Sequence, residues 1–222
     1  MIEKDLSNFI KNALIEDVGD GDHSSLASIP KDATSKAHLL VKDNGIIAGI
    51  ELAKMIFNQF DSSVKVTQNL NDGDKVNLGD IAFIVKGNSI SILTAERLAL
   101  NCMQHMSAIA TKTAFLNSLI SDTKCKLLDT RKTTPGLRHL EKYAVYTGGG
   151  SNHRKDLSSG ILIKDNHLSA TSINDTVKKI QKKKISIPIQ IEIDFMNQIS
   201  QELVKHVNGF LLDNMCPKDI KH

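Results

Sequence analysis

The fold class is indicated most clearly by PIQIEIDFMNQISQELVKHVNGFLLD, residues 188–213. An apolar run rich in β-branched residues is followed by an amphipathic segment and then by a second apolar run. This order predicts two parallel strands joined by a helix. The same alternation starts near residue 122, with predicted strands CKLLD and SGILIK. We therefore predict a parallel sheet or an α/β barrel in the second half of the chain.

The predicted helices of this half lie between and after the strands. The helix after CKLLD has Pro135 near its first turn, and a Ser or Thr caps the next one. In chain order they are PGLRHLEKYAVYTGG, SATSINDTVKKIQKKK and NQISQELVKHV, and CPKDIKH begins another.

The first half has a different pattern, which predicts mixed α and β structure. Apolar residues at helical spacing predict a helix from about Ile2 to Val18. Residues 93–119 contain neither Gly nor Pro and predict one long helix or two abutting helices. The elements predicted between them are strands KAHLLVKD and NGIIAG, helix ELAKMIFNQF, and strands VKVTQ and IAFIVKG. We place the boundary between the halves near residues 105–120.

Composition argues against several classes of function. The chain has 28 basic and 25 acidic residues, and a net charge of +3 is too small for a protein that coats nucleic acid through bulk electrostatics. Cys102, Cys125 and Cys216 are far apart and odd in number, which indicates no zinc site or disulfide framework and favours the cytoplasm. The sequence also has no signal-peptide core and no run near the roughly 20 apolar residues of a membrane span.

Charged residues follow each of the four predicted strands of the second half, at positions 129–132, 164–167, 192–194 and 213–214. In α/β barrels and open α/β sheets the carboxyl ends of the strands line the active site. We therefore expect one cavity to collect the charged residues Arg131, Lys132, Lys164, Glu192 and Asp213. The alternative is that charges follow these strands only because strands end at the surface.

These residue types favour a substrate with several negative charges. Arginine binds carboxylate and phosphate through two parallel hydrogen bonds, and lysine acts as a point charge. The predicted cationic group is Arg131, Lys132, His153, Arg154 and Lys164. Glu192 and Asp213 would instead hold Mg²⁺ or sugar hydroxyls. A phosphorylated sugar fits this set. The three glycines at 148–150 either let the backbone approach phosphate or simply end a helix.

Several segments resemble the quinolinate phosphoribosyltransferase family, also called nicotinate-nucleotide pyrophosphorylase (carboxylating). They cover most of the chain in the family's order, and the block at 129–167 is the most specific. The matching segments are EDVGDGD, TAERLALNCMQHMSAIAT, DTRKTTPGLRHLEKYAVYTGGGSNHR, ILIKDNH, IEID and FLLDNM.

The resemblance implies a reaction. Quinolinate and 5-phosphoribosyl-1-pyrophosphate give nicotinate mononucleotide, pyrophosphate and CO2 in the presence of Mg²⁺. By resemblance, quinolinate would be bound by Arg131, Lys132, His153 and Arg154. Lys132 would also reach the sugar donor and act in catalysis, and Lys164 would bind phosphate. Glu192 and Asp213 would hold the ribose hydroxyls and Mg²⁺ and take part in catalysis.

The resemblance also implies an architecture and an assembly. An α/β sandwich domain, residues 1–110, would precede an incomplete α/β barrel, residues 111–222. Arg97, on the dimer-contact helix, would enter the partner subunit's site in a homodimer with shared active sites. Without the resemblance, Arg97 is an ordinary surface arginine paired with Glu96 or Asp122. Because family members continue some sixty residues further, we expect a truncated chain, unstable or weakly active, with strand 209–213 as an uncovered edge.

Two competing interpretations remain open. The alternative within the enzyme class is a related phosphoribosyltransferase of the same fold for nicotinate or another aromatic acid, such as the molybdate-transport-associated paralogue, but recognition of two carboxylates favours quinolinate. A nucleotide- or RNA-binding module without catalysis is the alternative from another class. The near-neutral charge, the 4% aromatic content and the absence of Trp argue against it.

Overall fold

The computed structural model describes residues 2–169, 171–182 and 186–220. The chain forms two compact units, residues 1–153 and residues 154–222. The predicted division at residue 110 stays a prediction, because the two compact units are defined by packing and not by the family's domains.

The first unit contains five helices and five strands among its described residues. The helices are α1 (Ile2–Val18), α2 (His23–Ser28), α3 (Ile50–Phe60), α4 (Ser89–Ser118) and α5 (Arg138–Thr147). The strands are β1 (Thr34–Leu40), β2 (Gly45–Ile46), β3 (Lys65–Gln68), β4 (Lys75–Val76) and β5 (Ile81–Asn88).

An antiparallel sheet of order β1-β5-β3 forms one layer of this unit. The central strand β5 pairs Val85 with Ala37 on one side and with Val66 on the other. Phe83 of β5 meets Phe57 of α3 edge to face, with ring centroids 6.3 Å apart. Such aromatic pairs stabilise more than their buried area alone. The core of the unit therefore lies where the sheet meets the helices.

The predicted helical stretch at 93–119 is one continuous helix, α4. The side chain of Asn88 caps it by accepting hydrogen bonds from the amides of Ile90 and Ser91, at 2.9 and 3.2 Å. Its buried residues include Ala95, Ala99 and Met106, which belong to the core of the first unit. Small alanine side chains allow neighbouring elements to approach α4 closely.

The second unit is built on a parallel sheet of order β6-β7-β8. Its strands are β6 (Ile161–Ile163), β7 (Ile189–Ile193) and β8 (Gly209–Leu212). Its helices are α6 (Asp165–Leu168), α7 (Ile173–Lys182), α8 (Gln201–Val204) and α9 (Pro217–Ile220), with a 3-10 turn at Met196–Gln198. Ile191 and Ile193 of the central strand are fully buried, as parallel strands covered by helices require. The predicted alternation of strands and helices is confirmed here.

One predicted strand is wrong. CKLLD, residues 125–129, forms only an isolated parallel bridge between Leu128 and Ser151. Lys126 is exposed and Leu128 is 51% exposed, so the segment lacks the buried face that a strand of a sheet requires. The second half of the described chain therefore has three parallel strands and not four.

Three predicted helices differ in extent. α5 begins at Arg138, three residues after Pro135, because residues 135–137 form a turn that precedes the helix. NQISQELVKHV is divided between the 3-10 turn and the short helix α8. The part of SATSINDTVKKIQKKK at residues 170, 183 and 184 lies outside the described residues. Within the described part of the chain, no helix has both the length and the apolar content needed to cross a bilayer.

Candidate active site

The carboxyl edge of the parallel sheet brings Lys164 and Glu192 together. Ile163 is in register with Ile191, so the residues that follow them stand side by side. Lys164 Nζ lies 3.1 Å from Glu192 Oε2, with 41% of the lysine side chain and 10% of the glutamate side chain exposed. A half-exposed cation thus lies over a nearly buried carboxylate. This pair is able to bind a phosphate and a sugar hydroxyl next to each other.

Asp213 stands at the same edge, at the end of the neighbouring strand. Its amide donates to the carbonyl of Ile193 at 3.0 Å and continues the ladder between β7 and β8. Asn214 Nδ2 donates to Asp213 Oδ2 at 2.9 Å. Asn214 has a φ of 53°, a left-handed conformation that asparagine tolerates better than most residues. This turn ends the strand and holds the Asp213 carboxylate in place.

Arg154 is held by the turn that leads into β6. Its Nη1 donates to the carbonyl of Gly160 at 2.9 Å. The same turn is closed by Asp156, and the hydroxyl of Ser158 is the main cause that lowers the pKa of that carboxyl, with further hydrogen bonds from Ser159. The guanidinium of Arg154 is therefore anchored on one side by backbone.

The segment that carries Arg131 and Lys132 is held by the first turn of α5. Arg138 Nε donates to Thr133 Oγ1 at 3.1 Å. The carboxylate of Glu141 accepts from the amide of Thr134 at 3.2 Å and lies 3.1 Å from His105 Nε2 of α4. α5 thus connects this segment to the long helix.

Burial and hydrogen bonding oppose each other at Glu141. Desolvation alone would raise the pKa of this carboxyl, but hydrogen bonds from Thr134 and His105 outweigh desolvation and lower the pKa. The carboxylate therefore stays ionised, which keeps its hydrogen bond to the segment strong.

Arg131 has a buried nitrogen without an acceptor. In the described part of the chain, its Nε is the one buried side-chain nitrogen or oxygen without a hydrogen-bond partner. A buried, unsatisfied guanidinium nitrogen costs free energy, and a bound carboxylate would remove that cost. Lys132, next to it, is exposed. Both side chains are thus placed to receive an anion.

His153 is fixed through both of its backbone groups. Its amide donates to Asp129 Oδ1 at 2.8 Å, and its carbonyl accepts from Lys142 Nζ at 3.1 Å. Lys142 and Asp129 form an ion pair in which each side chain is less than a tenth exposed. Asn152 Nδ2 donates to Asp129 Oδ2 at 2.6 Å and to the carbonyl of Lys142 at 2.8 Å. We call these three side chains the His153 clamp.

The three glycines allow close packing of α5 against α4. A Cβ on Gly148 would lie 2.3 Å from the carbonyl oxygen of Ala110, and one on Gly150 would lie 2.8 Å from Val145 Cγ1. Gly149 has a φ of 85°. The loop between α5 and residue 153 therefore requires glycine for steric reasons within the protein, without invoking a phosphate.

Arg97 is exposed on α4, where it lines a cavity of about 800 Å³ in the first unit. Leu40, Leu100 and Phe115 also line it and leave apolar surface exposed. Of the predicted site residues, Arg131, Lys132 and His153 belong to the first unit, as Arg97 does. Arg154, Lys164, Glu192 and Asp213 belong to the second. The single cavity predicted from the sequence stays a prediction, as do the individual roles.

Two domain profiles match the chain. The quinolinate phosphoribosyl transferase C-terminal domain matches residues 109–222, and the N-terminal domain matches residues 22–107. The chain belongs to the quinolinate phosphoribosyltransferase family. The resemblance found in the sequence is thereby confirmed.

Curated relatives agree with this family. The chain is 41% identical to quinolinate phosphoribosyltransferase [decarboxylating] 1b of Nicotiana tabacum, over 95% of this chain and 63% of that protein. It is 37% identical to the probable nicotinate-nucleotide pyrophosphorylase [carboxylating] of Bacillus subtilis (strain 168), over 98% of this chain and 75% of that protein. The chain thus spans less than two thirds of the tobacco relative and three quarters of the bacterial one.

Solved structures of the family share the fold. The nicotinate-nucleotide pyrophosphorylase from Francisella tularensis superposes with a TM-score of 0.91 at 37% identity, covering 98% of this chain and 77% of that one. NadC from Streptococcus pyogenes gives 0.90 at 35% identity, covering 96% and 76%. The fold class predicted from the sequence, an α/β sandwich domain followed by an incomplete α/β barrel, is confirmed. The described residues contain no closed barrel.

The residues fit the Mg²⁺ that the family implies only in part. Among the described residues, no three His, Cys, Asp or Glu side chains are grouped to hold a metal ion. Mg²⁺ is usually held by one or two carboxylates together with waters and substrate phosphates, not by an all-protein cage. Glu192 and Asp213, at the ends of adjacent strands, fit that pattern.

Sequence reasoning missed the His153 clamp and the role of Glu141. Lys142 lies on a helix with a polar composition, and a single sequence does not show that this lysine is 6% exposed. His105 of α4 is the second partner of Glu141, and nothing in a single sequence pairs these two residues. Asp129 was noted only as a charge at a predicted strand end.

Proposed function

We propose that this chain transfers the phosphoribosyl group of 5-phosphoribosyl-1-pyrophosphate to the ring nitrogen of quinolinate, with loss of CO2. The products are nicotinate mononucleotide, pyrophosphate and CO2. The observation that carries the proposal is the buried, unpartnered Nε of Arg131, in a segment matched to the quinolinate phosphoribosyl transferase C-terminal domain. The names of the tobacco and Bacillus relatives support it.

Quinolinate would be recognised through its two carboxylates. Arg131 would form a two-point contact with one of them and satisfy its orphaned Nε. His153, fixed by its clamp, the exposed Lys132 and Arg154 would supply further positive charge. Nicotinate lacks one carboxylate and would leave part of this cationic group without an anionic partner, which costs binding free energy.

The sugar donor would bind at the carboxyl edge of the parallel sheet. Lys164 would exchange part of its contact with Glu192 for a phosphate oxygen. Glu192 and Asp213 would then accept hydrogen bonds from ribose hydroxyls. Glu192 lies between the buried Ile191 and Ile193 of β7, and Asp213 follows β8, whose Phe210 and Leu212 pack against the same core, so both carboxylates are rigidly placed.

The chemistry requires stabilisation of two developing charges. As the bond from ribose C1 to pyrophosphate breaks, positive charge grows on the sugar and negative charge on the leaving group. Lysine and arginine stabilise the leaving group, and a nearby carboxylate stabilises the sugar. Mg²⁺, held by Glu192 and Asp213, would add positive charge next to the pyrophosphate when bound. The new C1–N bond leaves the ring nitrogen positively charged, which stabilises the electron pair that CO2 leaves on the neighbouring ring carbon. A proton from solvent then adds to that carbon and gives nicotinate mononucleotide.

We also propose a homodimer with shared active sites and a cytoplasmic location. Arg97 supports the first, because it is an exposed cation beside exposed apolar residues such as Leu100 and Phe115. Exposed apolar surface of this kind favours contact with another protein surface. The number and spacing of the three cysteines support a reducing compartment.

Pyrophosphate release by the purified chain tests the proposed function. The reaction would contain Mg²⁺ and the sugar donor, with quinolinate or nicotinate added in parallel. We expect release with quinolinate, little release with nicotinate, and loss of release in Lys132→Ala. Equal release with both acids would favour a relative that acts on nicotinate. No release with either acid would contradict the proposal for this chain.

A further inference from the structure

We propose that Lys142 and Asp129 are positioning residues that fix His153 relative to Arg131 and so set the geometry for binding a two-carboxylate substrate. This inference rests on the proposed function and names residues to which the predicted site gave no role. Neither side chain is exposed enough to serve as a surface charge, since each is less than a tenth accessible.

The hydrogen bonds of the ion pair converge on one residue. Asp129 Oδ1 accepts from the amide of His153, and Lys142 Nζ donates to its carbonyl. A pair that served stability alone would have no reason to bond both backbone groups of a single residue. Buried ion pairs are weak stabilisers, because desolvation offsets much of their attraction. Their best supported benefit is to specify one arrangement, which is what His153 requires.

The pair also connects two segments that carry predicted quinolinate contacts. Asp129 precedes Arg131 by two residues, and its own amide donates to the carbonyl of Ser151 at 3.1 Å. The amide of Ser151 donates to the carbonyl of Leu127 at 2.8 Å. The segment that carries Arg131 and the segment that carries His153 are therefore held side by side. The clamp fixes their register, and with it the spacing of the two side chains.

Loosening the clamp should weaken binding of quinolinate and not binding of the sugar donor. Quinolinate requires cations at a fixed spacing for its two carboxylates, and small misplacements of binding groups are costly. The sugar donor would be bound by Lys164, Glu192 and Asp213, whose side-chain partners within the described part of the chain include one another and Asn214 but no residue of the clamp. Loosening the clamp should therefore raise KM for quinolinate selectively.

A double-mutant cycle tests this inference. The variant is Asp129→Leu with Lys142→Met, which removes both hydrogen bonds to His153 and both charges together, so that no buried charge is left unpaired. We expect KM for quinolinate to rise about tenfold or more, while KM for the sugar donor stays within about twofold. In a His153→Ala background the same pair of changes should have no further effect on KM for quinolinate.

Exposed Lys126→Met is the matched control, and we expect it to leave both KM values unchanged. An equal rise of KM for both substrates, or the same rise with and without His153, would overturn the inference, since a merely structural role predicts those results. If the double variant lacks cooperative unfolding, Asn152→Ala takes its place in the cycle. That change removes two hydrogen bonds of the clamp and keeps the ion pair.

Amide hydrogen exchange separates failure of this inference from failure of the proposed function. The clamp predicts slow exchange at the amide of His153, and fast exchange there in the double variant while the amides of β5 stay protected. Fast exchange at His153 in the unaltered chain would overturn the clamp whether or not the chain acts on quinolinate. Turnover of quinolinate by the unaltered chain decides the proposed function separately.

Discussion

Lys164 Nζ and Glu192 Oε2 are 3.1 Å apart at the carboxyl edge of the parallel sheet, where β6 and β7 end. The lysine is half-exposed and the glutamate is nearly buried. The cation of the pair is therefore accessible from solvent, while the carboxylate is largely shielded by the protein. An arriving phosphate would meet the cation first. The pair thus combines the two types of group that a phosphorylated sugar requires.

Removal of Lys164 should weaken binding of the sugar donor. We expect Lys164→Ala to raise KM for 5-phosphoribosyl-1-pyrophosphate by about tenfold or more, because a hydrogen bond to a charged group is worth about 1.5–3 kcal/mol. KM for quinolinate should change much less. Steady-state kinetics with each substrate varied in turn measures both. Lys205→Ala, from an exposed pair with Glu202, is the control and should change neither KM. An unchanged KM for the sugar donor in Lys164→Ala would contradict the assignment.

Loss of the Arg131 guanidinium should discriminate between the two acids. Arg131→Gln should raise KM for quinolinate by a factor equivalent to about 2–4 kcal/mol, since a two-point contact is lost. Arg131→Lys should recover little of the binding lost in Arg131→Gln, because an ammonium group cannot replace the planar guanidinium group. Competition by nicotinate should be weakened far less than binding of quinolinate. Similar losses of binding for both acids would show that Arg131 does not contact the carboxylate that quinolinate has and nicotinate lacks.

The sequence predicted the parallel half of the fold better than the residues that support the site. SGILIK, PIQIEID and GFLLD pack apolar residues into the second unit's core, so local pattern and tertiary structure agree. CKLLD has the same local pattern, but only Leu128 finds a bridging partner. The difference is whether a neighbouring strand is available for pairing, and a short stretch of sequence carries no information about that.

Glu141 should make stability depend on pH in the acid range. Its folded-state pKa lies below its ordinary value, so its stabilising contribution is complete above about pH 4.5 and is lost as the pH falls through the lower folded value. Glu141→Gln should lower the free energy of unfolding by about 1–3 kcal/mol at neutral pH. The difference between the two proteins should shrink below about pH 4.5. Denaturant unfolding at several pH values measures this, with exposed Glu16→Gln as the control. A difference that grows on acidification would contradict the account.

Gly148 should not tolerate even one methyl group. The added Cβ of Gly148→Ala would lie 2.3 Å from the carbonyl oxygen of Ala110, so α5 would have to move away from α4. We expect a destabilisation of about 1–3 kcal/mol by denaturant unfolding. Gly209→Ala is the matched control, because its Cβ would meet only the Gln190 side chain, at 3.8 Å and beyond. Equal stability of both variants would show that the close approach of the two helices is not required.

Residue patterns and the family resemblance predicted the charged residues that follow the strands, but not the buried residues that support the site. Charges after predicted strands led to Lys164, Glu192 and Asp213, and the register of the sheet does place them along one edge. Lys142 gave no such sign, because it lies on α5 and is buried only where that helix meets the segments that carry Asp129 and His153. Burial of that kind is a property of packing between distant segments. Only the folded structure shows it.

The most direct test of phosphoribosyl transfer to quinolinate measures both small products in one reaction. Quinolinate labelled in the carboxylate next to the ring nitrogen would be incubated with the chain, Mg²⁺ and 5-phosphoribosyl-1-pyrophosphate, and labelled CO2 and pyrophosphate would be followed together. The account predicts equal molar amounts of both, dependent on the sugar donor and lost in Arg131→Gln. Pyrophosphate without labelled CO2, or CO2 formed without the sugar donor, would contradict phosphoribosyl transfer to quinolinate with decarboxylation.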